Sequence, residues 1–158
     1  MKKIILTLLA TSTIYAGGIF SIGSKNISVS AGTDNSFGSS YTVLGVNANY
    51  FLIDNLSLGA SYHAYLGGTP DISQITIPIT YYVPLEGMPF KPYLGAFYSQ
   101  TFIEDPYDDY NLYGGRIGVS MQTSGTSYMS LGWVQEFGGS STSVEKRGYP
   151  EVSAGISF

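Results

Sequence analysis

Few side chains in this sequence could do chemistry. His63 is the single histidine, and Ser61 precedes it by two positions. A histidine and a serine on one face could serve as base and nucleophile if an acid orients the ring. The bland alternative for His63 is a hydrogen-bonded interior side chain. Arg116, Glu136 and Glu151 stand as isolated charges in uncharged surroundings. Glu104, Asp105, Asp108 and Asp109 crowd one short segment. They could hold a divalent cation through oxygen ligands, or simply be a solvated loop. Lys146-Arg147 could meet phosphate, or be a solvated pair. There is no cysteine, so thiolate metal sites and disulfides are excluded. No catalytic residue, metal ligand or cofactor is assigned.

What these residues can do depends on the elements that carry them. The dominant pattern is alternation at period two, the mark of strands with one apolar face. Asn26–Gly32 sets Ile27, Val29 and Ala31 against Ser28 and Ser30. Tyr41–Leu52 sets Leu44, Val46, Ala48, Tyr50 and Leu52 against Gly45, Asn47 and Asn49. Leu56–Leu66 returns after the turn-forming Asp54-Asn55, with His63 and Ser61 on its polar face. Gln74–Val83 carries Ile75, Ile77, Ile79 and Tyr81 on one face, with Pro78 mid-strand as a bulge or local break. Tyr93–Phe102 is ambiguous, and Leu94, Ala96 and Tyr98 are taken as its outward set. Asn111–Met121, Ser127–Phe137 and Tyr149–Phe158 complete a count of eight strands. In the last of these, Val152, Ala154, Ile156 and Phe158 share one face.

The polar faces gather the chemistry. His63, Arg116, Glu136 and Glu151 all fall on the side opposite the large apolar residues. A charge enclosed in a narrow barrel must be paired. The four are therefore expected to form a lumen polar network. It acts either as a selectivity ring in a pore or as a structural plug, and the plug is favoured because eight strands enclose little more than their own side chains. One arginine between two glutamates leaves one carboxylate seeking a donor, from His63 or a tyrosine hydroxyl.

Composition points the same way. Only 11% of residues are charged, where a soluble domain carries about 25%. No run of about 18 apolar residues could form a membrane helix. Lys2-Lys3, the apolar Ile4–Ala10 and a small polar stretch ending at Ala16 read as a secretory signal over residues 1–16. The domain expected after it is residues 17–158. From −4, loss of Lys2 and Lys3 brings the net charge to about −6, which argues against a nucleic-acid partner. Residues 17–25 read as a short lead-in, and 33–40 as a polar loop. The joins alternate, with the first, third, fifth and seventh mostly longer than the others. An even strand number puts both termini at the short-turn end, and pairing the first strand with the last satisfies the backbone of both edges.

On the signal segment, the Asp54-Asn55-Leu56-Ser57-Leu58-Gly59 hairpin and the Val152-x-Ala154-x-Ile156-x-Phe158 ending, the chain resembles the small eight-stranded outer-membrane barrels of the OmpA/OmpX/OmpW type, within the wider porin family. The resemblance implies an all-β fold, an eight-stranded antiparallel up-and-down transmembrane β-barrel preceded by a cleaved signal peptide. It implies residence in a Gram-negative outer membrane with both termini periplasmic. It also implies surroundings of lipid and lipopolysaccharide, and handling by barrel-assembly machinery that reads Val152, Ala154, Ile156 and Phe158 as an assembly signal. A monomer is expected. A soluble lipocalin-like barrel would need apolar residues inside and polar ones outside, and here the faces are reversed. Tyr50, Tyr81, Tyr98, Tyr113, Trp133 and Phe158 are expected in interfacial aromatic girdles. The role expected is structural or surface-interacting through external loops. The alternatives are a narrow channel for small solutes and a lipid-A-modifying barrel enzyme. In such deacylases a serine stands two residues after the histidine, but here the sequence is His63-Ala64-Tyr65.

Overall fold

The computed structural model describes residues 18–138 and 146–158. Eight strands follow one another: β1 (Lys25–Ser36), β2 (Ser39–Ile53), β3 (Leu56–Leu66), β4 (Ile72–Tyr82), β5 (Phe90–Ile103), β6 (Tyr110–Gln122), β7 (Ser127–Gly138) and β8 (Arg147–Ser157). Each pairs antiparallel with its sequence neighbour, and β1 pairs with β8 from Asn26↔Ser157 to Gly32↔Glu151. The result is a closed barrel in sequential order, so every strand has a paired neighbour on each side. The expected signal segment, 1–16, lies outside the described residues. Lys25, Phe158 and the Asp54-Asn55 turn mark the lower end of the barrel.

Closure follows from the alternation. Burial switches residue by residue along β1, β2 and β4, and the exposed positions are the apolar ones. Ile117 is 64% exposed and Leu131 62%. Leu44, Val46, Ile75, Ile77, Ile79, Leu94 and Tyr98 are exposed with them. The inner face mixes Ser, Thr, Asn and Gly with many large side chains, chiefly tyrosines such as Tyr41, Tyr65, Tyr93, Tyr128 and Tyr149. Inward glycines make room for those large groups. A Cβ on Gly45 would collide with the His63 ring, one on Gly114 with Phe97, and one on Gly118 or Gly132 with the Tyr93 hydroxyl.

The structure departs from the sequence reading at several joins. The expected loop 33–40 is mostly strand. β1 and β2 run on until Phe37-Gly38, whose φ values of 52° and 73° suit the tight hairpin turn with both central residues left-handed. The alternation of long and short joins is correspondingly weak. The first and second joins are both tight turns, while residues 83–89 at the lower end form a longer one. Pro78 causes a local break rather than a bulge. Between Leu58↔Ile79 and Ser61↔Thr76 the β3–β4 ladder has no pairs, yet its register is unchanged. The ladder on the other side continues through Pro78↔Phe97, so the missing N–H falls toward β3. The one register shift on β2 lies between Phe51 and Ile53, beside the Asp54-Asn55 turn.

Candidate functional site

The lumen is stacked in layers. At the bottom Phe51, Tyr82, Tyr93 and Tyr128 pack with Ile19 and Phe20. Phe97, Val134 and Tyr149 form a middle cluster. Tyr41, Val43, Tyr65 and Ile72 close the top. The bottom layer corrects the reading of residues 17–25 as a mere lead-in, since Gly18–Ser24 is folded into the barrel mouth. Little in the sequence marks it beyond the adjacent apolar pair Ile19-Phe20.

Between these layers lie two separate charge clusters where the sequence suggested one network. In the lower cluster Arg116 on β6 pairs with Glu151 on β8 through Arg116 Nη2 and Glu151 Oε1. The Arg116 guanidinium also lies 5.8 Å from the Tyr93 ring centroid. His63 on β3 approaches the other carboxylate oxygen, Nε2 to Oε2 4.0 Å, which is beyond hydrogen-bond range. Neither ring nitrogen of His63 and not Arg116 Nε has a partner among the described residues.

The upper cluster is built around Arg147 on β8. Its Nη2 donates to Glu136 Oε2 at 2.7 Å, and its Nη1 donates to Asp34 Oδ2 at 3.1 Å and to Ser36 Oγ at 2.6 Å. Ser36 Oγ donates in turn to Asp34 Oδ2 at 2.7 Å. Glu136 also accepts from Gln74 Nε2 at 3.2 Å. Glu136 is thus the carboxylate left over by Arg116; besides Arg147 and Gln74 it takes a long bond of 3.5 Å from the Tyr149 hydroxyl, the tyrosine donor expected from the sequence, and none from His63. Lys146-Arg147 is split by this arrangement. Lys146 is exposed at the rim, while Arg147 begins β8 and turns inward. The sequence missed Arg147 and Asp34 because Ser/Gly-rich or Asp/Asn-rich neighbours made both segments read as loops. Period two was the available signal: Ser30, Gly32, Asp34 and Ser36 continue the inward face of β1.

Among the described residues, two small lumen cavities of about 20 Å³ each lie beside these charges. One is lined by Ser61, His63, Gln74, Glu136 and Glu151 among others, the other by Ser28, Asn47, Thr80, Ser130 and Ser153. Arg116 lines both and stands between them. Each is large enough for about one water molecule. Ser61 shares the first cavity with His63, and no hydrogen bond links them among the described residues. The acidic loop is partly occupied with its own backbone: Asp109 Oδ1 accepts the Ile103 N–H at 3.0 Å. Among the described residues no three His, Asp or Glu side chains converge on a possible metal position.

The four residues expected from the sequence to serve as an assembly signal sit where β8 closes the barrel. Val152, Ala154 and Ile156 face outward. Phe158 exchanges both main-chain hydrogen bonds with Lys25, at 3.0 and 2.9 Å. Of the expected girdle residues, Tyr50, Tyr81, Tyr98, Tyr113 and Trp133 are exposed, while Phe158 is half-buried. Tyr113 stacks on Phe137 at 5.8 Å.

A closed antiparallel barrel of eight strands has counterparts among solved structures. The N-terminal β-barrel domain of Pseudomonas aeruginosa OprF superposes with a TM-score of 0.72 over 87% of this chain and 98% of that one, at 15% identity. The fold is that of the small eight-stranded outer-membrane barrels. Neisserial surface protein A matches with a TM-score of 0.61 over 85% and 96%, at 21% identity. The attachment invasion locus protein Ail of Yersinia pestis matches with 0.55 over 87% and 99%, at 12% identity. No family model and no curated protein matches the sequence.

Proposed function

We propose that this chain is an integral outer-membrane β-barrel with a structural or surface-interaction role and a lumen closed to solutes. One observation carries the reading: a continuous apolar exterior surrounds an interior whose charges are paired across the bore. Exposed Ile77, Ile117 and Leu131 would be costly in water, while lipid satisfies them. The eight-stranded bore is filled by side chains, which favours a plug over a channel. The names of the matched Neisserial surface protein and attachment protein suit a surface role, at identities that speak only for the fold. Lipid and lipopolysaccharide then surround a monomer, both termini lie in the periplasm, and no enzymatic activity is assigned.

Fractionation with the outer membrane, together with faster gel migration of unheated than of boiled protein, tests the barrel in its membrane. Recovery in the soluble fraction overturns it. Planar-bilayer recording tests closure, with no resolved conductance steps expected. The Phe158 reading has its own check. Deleting Phe158 lowers the yield of inserted barrel in cells while leaving the urea midpoint of already folded barrel nearly unchanged. Equal insertion with and without Phe158 removes its role as assembly signal.

A further inference from the structure

The lower mouth of the barrel is filled by chain that belongs to no strand. Gly18–Ser24 turns on itself through the Ser21 N–H to the Gly18 carbonyl (2.9 Å) and the Ser24 N–H to the Ser21 carbonyl (3.1 Å). The turn drives Ile19 and Phe20 into the lumen, where they are 3% and 6% exposed. The Phe20 ring lies 4.6 Å from that of Tyr82, 5.9 Å from Phe51 in edge geometry and 6.4 Å from Tyr128. The receiving rings also touch one another, with Tyr82 5.7 Å from both Phe51 and Tyr93. Lys91 Nζ, held by Asn55 Oδ1 at 2.7 Å, lies 5.2 Å from the Phe20 centroid, within cation–π range.

The attachment of this segment is light compared with a strand's ladder. Its ties to the rim among the described residues are the Gly23 N–H to the Phe51 carbonyl, the Phe51 N–H to the Ser24 carbonyl, the Asn55 N–H to the Phe20 carbonyl and the Ile22 N–H to Asp54 Oδ1. Asn26 Nδ2 adds a long bond of 3.4 Å to the Ile19 carbonyl. The Phe20 side chain has no polar atom, so ring contact and burial hold it. Beside the segment an open cleft of about 220 Å³ runs along Ile19, Phe20, Asp54, Asn55, Lys91 and Gln122. Above the receiving rings lies the lower cavity, which Tyr82, Tyr93 and Tyr128 line from below and Arg116 lines with them. Phe20 and its rings therefore stand between this chamber and the mouth.

We propose that Phe51, Tyr82, Tyr93 and Tyr128 form an aromatic-binding receptor whose built-in ligand is Phe20, so that release of Phe20 opens the space its ring fills to an aromatic solute and brings small reagents to the floor of the lower chamber. The ligand class is a single planar ring. An aromatic solute is thus able to take the place that Phe20 vacates.

The absence of cysteine lets one introduced thiol report each compartment. Ser28→Cys reports the lower chamber, and Ser61→Cys reports the cavity beyond Arg116. Each is placed in the full chain with Phe20 kept or changed to Gly, folded in detergent and treated with methyl methanethiosulfonate. Phe20→Gly is expected to speed modification at Ser28→Cys by about tenfold or more, and to leave Ser61→Cys within about twofold. Millimolar p-cresol is expected to slow the Ser28→Cys reaction again in the Phe20→Gly barrel. Phe20→Leu keeps most of the buried volume but loses the ring, and covers the case in which the glycine variant fails to fold. It is expected to give an intermediate rate. Unchanged rates at Ser28→Cys in both variants overturn the cork. Equal acceleration at both thiols shows general loosening and also overturns it. Labelling indifferent to p-cresol overturns the aromatic receptor.

Discussion

The two charge clusters of the lumen use the same side-chain types in different ways. In the upper one a single arginine serves two carboxylates. Glu136 and Asp34 both accept from Arg147, and Ser36 and Gln74 take up remaining acceptor capacity. In the lower one a single arginine serves a single carboxylate, and the third member, His63, stands off at 4.0 Å with both nitrogens unpartnered among the described residues. The upper cluster is a connected network in which each group depends on Arg147. The lower cluster is an isolated pair with a bystander. Buried pairs tolerate joint removal better than the loss of one partner, so the two should respond differently to the same kinds of substitution.

The largest effect is expected at Arg147. Arg147→Met leaves Glu136 and Asp34 buried, close together and without their cation. The cost expected is about 3–5 kcal/mol of unfolding free energy, read as a shift of the urea midpoint in lipid vesicles. A loss under about 1 kcal/mol would mean that the carboxylates find other partners, and the network reading would fail.

Arg116→Met comes next. It strands only Glu151, which sits beside a small polar cavity and near an imidazole. An expected loss of about 1–3 kcal/mol follows from one unsatisfied buried acceptor. A loss equal to that of Arg147→Met would erase the distinction between network and pair.

How far these clusters could be read from sequence depends on what sets each feature. The outward face is legible because every second position meets one environment, so Leu44, Ile77 and Ile117 all carry the same mark. The inward charges Arg116, Glu136 and Glu151 stand out for the opposite reason. Their partners do not, because pairing across the bore depends on strand tilt and stagger, which no single strand encodes. Asp34 and Arg147 were hidden by turn-forming neighbours, although Asp34 keeps the inward period of β1. The first join read as a loop because residues 33–40 are polar and turn-forming, and Phe37-Gly38 lacks the Asn-Gly or Asp-Gly chemistry that marks a two-residue hairpin. The Ile19-Phe20 cork has no periodicity to read, since its burial is decided by rings drawn from β2, β4, β5 and β7.

Joint removal sharpens the contrast. Arg116→Met with Glu151→Leu takes away both charges of the lower pair and leaves no dependent network. The double variant is expected within about 1 kcal/mol of the parent, less damaging than Arg116→Met alone. The same operation on the upper cluster, Arg147→Met with Glu136→Leu, still leaves Asp34 buried without its arginine, and a larger loss persists. Double-mutant cycles on the two pairs measure this difference directly.

The smallest effect, and the one that decides what His63 does, is expected for His63→Leu. The ring is buried against Gly45, and it contributes no hydrogen bond among the described residues. Replacing an unsatisfied buried polar group with an apolar one of similar bulk is neutral or slightly stabilising, within about 1 kcal/mol. The cavity beside it has room for about one water, and a water there would link Nε2 to Glu151 across their 4.0 Å gap. A bridged ring would make His63→Leu destabilising by more than about 1 kcal/mol, and would make the loss shrink in an Arg116→Met, Glu151→Leu background. No loss in either background leaves His63 as a space-filling side chain over Gly45, and the lower cluster as a simple pair.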